Sequence, residues 1–352
     1  MLDVNSSDSS DSSDTTPRRV PTLEVVAELA GVSRATVSRV VNGSSRVSPE
    51  AHAAVTKAIS ALGYVPNRAA RSLVTRRTDT LVLIVHERTD TVFEDPFFAN
   101  VLRGVNAALS TTDLQLVLLH ARGDQQRERA LRYVSNGHVD GALLISLHGA
   151  DPMPTAIMAA GIPMVAMGRP LAGRHADYVD ADNAGGGQEA VQHLVAAGRR
   201  CLATVAGPLD MSPGIDRLRG YVDATRAANM AAAADRLVHG DFTEPAGYHA
   251  MKLLLEATPD IDGVFVASDL MALGALRALR ELGRRVPDDV AVVGFDDAPV
   301  ALYANPPLTT VRQPVALLGQ EMVRLLLHRL SEPGGDPKAI ILPTELVVRA
   351  SA

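Results

Sequence analysis

Residues 33–43 read SRATVSRVVNG, two arginines among small hydroxyl residues and valines. On a helix, Arg34, Ala35, Thr36, Ser38 and Arg39 fall on the early or outward face, while Val37, Val40 and Val41 turn inward. An arginine fork can pair with guanine O6 and N7, and an exposed Ala or Thr methyl can touch thymine. The chemistry on offer is therefore reading base edges. Bond-making machinery is not legible: there is no P-loop, no Gly-rich dinucleotide fingerprint after a strand, no His/Cys metal spacing, no nucleophile–base pair and no acid–base carboxylate pair. Gly185-Gly186-Gly187 lacks the Lys-Ser/Thr of a phosphate loop. His193 reads as a satisfied core residue.

The elements that must hold the arginines are tightly punctuated. Leu23, Val26, Ala27 and Ala30 share one helical face, and Gly31 ends that helix. Ser33 is placed to cap the next helix, which runs to about residue 42. Ser48-Pro49-Glu50 opens a third helix, Ala51, Val55, Ile59 and Leu62 form its buried stripe, and Gly63 closes it. A tight turn, a cap, polar residues first and apolar residues behind are what a helix-turn-helix needs to enter the major groove. Residues 18–77 carry ten Arg and Lys against three Glu, a net of +7, which leaves −13 for the rest of a chain of net charge −6. A basic head on an acidic body points to a polyanion met at one end. Residues 1–16, MLDVNSSDSSDSSDTT, read as a disordered tail, and PNRAARSLVTRRT at 66–78 as a short basic linker.

Beyond residue 80, apolar runs at 80–85, 114–119, 139–145, 164–168, 201–207, 262–267 and 290–295 read as buried strands. Amphipathic helical patterns separate them, for example at 97–110, 184–197 and 270–282. This alternation predicts two α/β lobes with parallel sheets, split near residue 182, and a cleft at the strands' carboxyl ends. EDPFFANVLRG places Asp95, Phe97 and Phe98 on a strand-to-helix loop facing that cleft. Asp269 reads as the cap of the helix LMALGALRAL. A single cysteine, Cys201, the absence of an export signal and the lack of a membrane-length apolar run lead us to expect a cytoplasmic protein with no membrane partner.

TLEVVAELAGVSRATVSRVVNGSSRVSPEAHAAVTKAISALGYVPNRAARSL is similar, almost without gaps, to the head of the LacI/GalR family of transcriptional regulators. The resemblance continues through SDLMALGALRALRELGRRVPDDVAVVGFDD and PPLTTVRQP. It implies a small all-α helix-turn-helix head plus an α/β, periplasmic-binding-protein-like body of two parallel-sheet lobes. The implied divisions are a tail at 1–19, a head at 20–66, a hinge helix at 67–78 and a body at 79–352. Within the body, one lobe takes 79–181 and 314–342, the other 182–313 and 343–352. The resemblance puts Arg34 and Ala35 at the main specificity positions. It gives base or phosphate contacts to Ser33, Thr36, Ser38, Arg39, Asn42, Arg46 and Asn67, sets Thr22 against a phosphate, and makes Leu73 a minor-groove wedge.

In the body the resemblance implies an effector site holding Arg217 of RLRGY, Phe242 of GDF, Ser268 of VASD, and Phe295 and Asp296 of GFDD. Such groups suit a sugar, whose hydroxyls need planar polar partners and whose C–H face needs an aromatic. Ser268 departs from the asparagine many relatives carry. Stretches such as HVDGALLISLH and VAGPLDM resemble the cellobiose-responsive repressors of actinobacteria. The expectation is a homodimeric repressor on double-stranded operator DNA, released by a glucoside, with no metal, no cofactor and no enzymatic role. A corepressor-type regulator binding a purine stays open as the alternative, and a solute-binding transport protein behind it.

Overall fold

The structure is a computed structural model of the 352-residue chain; it describes residues 21–41, 46–65, 77–149, 151–171, 176–230 and 234–352. Two compact units divide it, residues 1–77 and 78–352. In the first, α1 (Leu23–Ala30), α2 (Arg34–Val41) and α3 (Pro49–Leu62) enclose one core. Gly31 takes φ +67° to end α1 and turn the chain toward α2, a backbone that glycine adopts without steric cost. Ser33 accepts the Thr36 N–H at 3.1 Å and starts α2; Ser48 accepts from Ala51 N–H at 3.3 Å and starts α3. Val26, Val37 and Val55, one from each helix, are wholly buried, and Tyr64 closes the core from beyond α3. Each such valine contributes on the order of 2 kcal/mol by leaving water.

The second unit holds two six-stranded sheets. The first is built from β1 (Thr80–Val85), β2 (Gln115–His120), β3 (Gly141–Ile145), β4 (Met164–Met167), β5 (Asp177–Ala181) and β11 (Ala339–Leu342), in the order β11-β5-β4-β3-β1-β2, all parallel. The second runs β12-β10-β9-β8-β6-β7, from β6 (Leu202–Ala206), β7 (Leu237–His239), β8 (Gly263–Val266), β9 (Ala291–Asp296), β10 (Thr309–Arg312) and β12 (Glu345–Val347). Only β12 pairs antiparallel, on β10. The chain thus crosses between lobes after β5, after β10 and between β11 and β12. Helices α4 (Thr89–Glu94), α5 (Pro96–Leu109), α6 (Asp124–Ser135), α7 (Met153–Ala159) and α13 (Val315–Ser331) serve the first lobe. Helices α8 (Asn183–Ala196), α9 (Ser212–Ala227), α10 (Glu244–Ala257), α11 (Asp269–Glu281) and α12 (Pro299–Tyr303) serve the second.

Residues with small side chains bring α8 and α9 together. A Cβ on Gly187 would stand 2.7 Å from the Arg217 carbonyl oxygen, and one on Gly220 would stand 2.9 Å from Gln188 N. Gly187 and Gly220 therefore form a packing seam that fixes the helix carrying Arg217, while Gly186 lets the start of α8 close on Phe295 and Val311. His193 departs from expectation: it is half-buried, and its Nε2 finds no hydrogen-bond partner. Asp269 is not the cap of α11, because Ser268 fills that place, accepting from Met271 N–H at 3.2 Å. Asp269 sits inside the lobe, accepting from the Thr310 hydroxyl at 2.6 Å and from Ala298 N–H at 2.7 Å.

Candidate effector site and DNA-reading helix

Between the lobes lies a cleft of about 900 Å³ including its open mouth. Its walls are the carboxyl ends of strands from both sheets, where an open α/β sheet leaves loops and helix starts free to meet a ligand. The first lobe contributes Glu87, Asp95, Phe97, Phe98, Ser146, Arg169 and Asp180; the second contributes Asn183, Ser212, Arg217, Asp241, Phe242, Ser268 and Asp296. Gln313, on the crossover after β10, lines it as well.

Arg217 is the centre of the polar wall. It is only 4% exposed, and its guanidinium lies 3.7 Å above the Phe295 ring centroid. Its Nε donates to Asn183 Oδ1 at 2.9 Å, and Nη1 donates to the Ala267 carbonyl at 2.6 Å and lies 3.2 Å from Asp296 Oδ1. Burial pulls its pKa down, opposed chiefly by the charge of Asp296. Asp296 in turn is raised by burial and held back by Arg217 and by the Gln313 amide, which donates at 2.6 Å. Asp180 is pushed to about 6 by burial, although it accepts from the backbone N–H groups of Arg169 and Ala181 and from the Asn183 amide. A continuous polar chain thus runs from Asp180 in the first lobe by hydrogen bonds through Asn183 to Arg217, and by an ion pair to Asp296 in the second.

Aromatic surface stands on both sides. Phe97 and Phe98 meet edge to face at 5.3 Å, held by Asp95, whose carboxylate caps α5 by accepting Phe97 N–H at 2.8 Å. Burial lifts Asp95 to about 6, with the Phe97 N–H opposing. Phe242 faces them from the second lobe, its ring against Gly207 and its centroid 5.7 Å from the Arg217 guanidinium. Phe242, Asp296 and Ser146 hold left-handed backbones, φ +68°, +112° and +57°. Such backbone is sterically costly outside glycine and gathers at binding sites. Across the rim, His148 reaches Asp210 of the second lobe at 3.0 Å and Glu87 at 3.2 Å, while Arg169 donates to both oxygens of Asp216 at 3.0 and 3.1 Å.

Seven of the eight body residues expected from sequence, Asp95, Phe97, Phe98, Arg217, Phe242, Ser268 and Asp296, line this one cleft. Phe295 does not: it is fully buried beneath Arg217, because successive side chains of β9 point to opposite faces. Asp180, Asn183, Gln313 and the rim residues escaped the sequence reading.

On the head, Arg34, Ala35 and Arg39 are exposed on α2, Thr36 and Ser38 are half-buried, and Val37 is fully buried. Ser33 and Thr36 share a hydroxyl pair at 2.9 Å. Thr22 precedes α1, exposed and making no side-chain cap, and Arg46 is exposed ahead of α3. Asn42, Asn67 and Leu73 lie outside the described residues, as does the segment carrying the expected hinge up to residue 76. Among the described residues no group of His, Cys, Asp and Glu is arranged to hold a metal, and no helix is long and apolar enough to cross a membrane.

Residues 22–67 match the profile of bacterial regulatory proteins of the lacI family, and residues 191–352 match a periplasmic binding protein-like domain. The chain is 52% identical over 336 residues to the HTH-type transcriptional regulator CelR of Thermobifida fusca, covering 95% of this chain and 99% of that one. It belongs to the LacI family of transcriptional regulators. The regulator is also 34% identical to the ribose operon repressor of Escherichia coli K12, over 94% of this chain and 99% of that one. Among solved structures it resembles a CelR–cellobiose complex (TM-score 0.77, 50% identity, 94% and 100% covered). It likewise resembles the lac repressor dimer bound to operator and the anti-inducer ONPF (TM-score 0.81, 28% identity, 94% and 98% covered). The α2 helix is thus the second helix of a DNA-binding helix-turn-helix, and the chain is a DNA-binding regulator, not an enzyme.

Proposed function

We propose that this regulator is a homodimeric cytoplasmic repressor of carbohydrate-utilisation genes, released from its operator by cellobiose or a short cello-oligosaccharide. The observation that carries this reading is the cleft itself: buried Arg217 opposite Phe97 and Phe98, with Asp95, Asp180 and Asp296 as hydroxyl acceptors. Kinship to a protein crystallised with cellobiose supports the choice. Local charge favours a neutral ligand. Arg217 is engaged by Asn183, Ala267 and Asp296, and Arg169 by Asp216, so an anionic ligand would meet more carboxylates than free cations.

On the DNA side, Arg34 and Arg39 are the readers of base edges and Ala35 an apolar contact. Ser33, Thr36, Ser38, Asn42, Arg46, Asn67 and Thr22 serve backbone or neighbouring bases, and Leu73 is the minor-groove wedge. The test is an operator-binding titration of the full chain with cellobiose, cellotriose, ribose and a purine added in turn. Release by the cello-oligosaccharides alone is the expected result. Tightening by the purine would replace this reading with corepression.

A further inference from the structure

We infer that Glu24, on the first helix, is a positioning residue for base readout: it holds one edge of Arg34 and leaves the other edge to a guanine. The inference rests on the reading of Arg34 as a base contact and goes beyond it. Glu24 Oε1 stands 2.8 Å from Arg34 Nε. Arg34 is the first residue of α2, directly after the Ser33 cap, and Glu24 is in the first turn of α1. Both helices close on the same core through Val26 and Val37, so the two backbones that carry the pair are fixed to one another. The side chains themselves lie on the outside, 70% and 61% exposed.

An exposed ion pair of this kind adds little to folding stability. Its placement matters for another reason. A guanidinium has five N–H donors in a rigid plane, and a guanine offers two acceptors, O6 and N7. A carboxylate on the Nε side leaves the terminal Nη groups, which match those acceptors end-on. Arginine is otherwise a long side chain with many rotamers, and holding it before DNA arrives removes ordering that binding would have to supply. A carboxylate here is also of the wrong sign to meet a phosphate. Its repulsion falls on every sequence alike, while its alignment of Arg34 helps only where the guanine is present. Glu24 therefore raises discrimination rather than general affinity. The Glu24 carboxyl also sits at the start of α1, where backbone N–H groups and the Thr22 hydroxyl hold its pKa down, so a purely helix-stabilising role is the rival account.

The test uses the full chain and a duplex selected from a random library by the wild-type protein, beside a scrambled duplex at the same salt. Glu24→Gln removes the charge, and Glu24→Asp keeps the charge at the helix start but withdraws the carboxylate from Arg34. Arg34→Ala should lose on the order of 10- to 100-fold on the selected duplex. Both Glu24 variants should lose on the order of fivefold there. On the scrambled duplex Glu24→Gln should bind as tightly as wild type or tighter. In an Arg34→Ala background, Glu24→Gln should cost nothing further. Equal losses on both duplexes, an undiminished loss in the Arg34→Ala background, or wild-type discrimination by Glu24→Asp would each overturn the inference. If Arg34→Ala itself keeps full discrimination, the assignment of Arg34 fails first, and the role of Glu24 falls with it.

Discussion

Replacing Arg217 by methionine isolates the centre of the cleft, because the new side chain keeps an unbranched apolar stem reaching about as far as Nε and has none of the donors. In the native protein the guanidinium satisfies Asn183 Oδ1 and the Ala267 carbonyl, faces Asp296 at 3.2 Å and covers the Phe295 ring. Removing one member of a buried ion pair costs about 3–5 kcal/mol, because the other charge stays in a poorly solvating place. For a unit of this size each kcal/mol moves Tm by roughly 2–4 °C, so the body transition should fall by roughly 6–20 °C. Proton uptake by Asp296, already raised by burial, moves the result toward the lower end. Cellobiose at about a hundred times its Kd should stabilise the wild-type body by ~2.7 kcal/mol, a rise of roughly 5–11 °C. The variant should show no such rise. Scanning calorimetry with and without cellobiose reads both quantities. A variant that melts with the wild type would refute the account of burial and pairing, and one that keeps the sugar-dependent rise would remove Arg217 from the effector site.

Asp95 is held near 6 against an ordinary 3.8, so its penalty is absent below about pH 4 and complete above about pH 6, where it reaches about 3 kcal/mol. Asn caps helices nearly as well as Asp, so Asp95→Asn should gain stability over wild type progressively across that window in urea unfolding; a difference that does not change with pH would contradict the burial of this carboxyl. The pKa of His148 is raised by the hydrogen bonds its ring donates to Glu87 and Asp210, against an opposing desolvation. Its contribution is thus full below 6.5 and lost as pH rises through the elevated value, and the wild type should exceed His148→Gln in Tm at pH 6 but not at pH 9. Equal margins at both pH values would show that the ring carries no charge in the bridge. Val37→Ala should cost the head about 2 kcal/mol, a large share of what so small a core can supply, and abolish operator binding at 37 °C while cellobiose binding persists. Retention of operator affinity would show that Val37 does not anchor the reading helix.

The head was legible almost completely, since Gly31, Ser33, Pro49 and Gly63 punctuate it and each has a single local explanation. In the body, long apolar strands such as β1 and β9 announced themselves, whereas β5 did not. Its sequence, DYVDA, carries two aspartates in five residues. Asp177 is explained only by partners remote in the chain, receiving Arg329 Nε and Nη2 at 2.8 and 2.7 Å and the Lys338 N–H at 2.7 Å. Asp180 instead receives near neighbours, the Asn183 amide and the backbone N–H groups of Arg169 and Ala181, brought to it by the turn out of the strand. The short strands β7 and β12, three residues each, have too little periodicity to separate from loops. Phe295 was misplaced for the opposite reason. An aromatic beside an acid looks like a sugar platform, and which of two neighbours faces the cleft depends on strand phase.

The two walls of the cleft belong to different lobes, so a ligand between them senses how the lobes are arranged. A ligand shifts a conformational equilibrium only by the difference in its affinity for the two states. Of the contacts across this cleft, His148–Asp210 and Arg169–Asp216 join the lobes directly, and the chain Asp180–Asn183–Arg217–Asp296 joins them through buried groups. Any relative movement of the lobes must lengthen these contacts or replace their partners. A sugar that bonds to Asp95 or Asp180 on one side and Arg217 or Asp296 on the other can therefore distinguish lobe arrangements through the same atoms that recognise it. A coupling of about 1–3 kcal/mol, typical of such regulators, requires only one or two charge-assisted hydrogen bonds formed in one arrangement and not in the other.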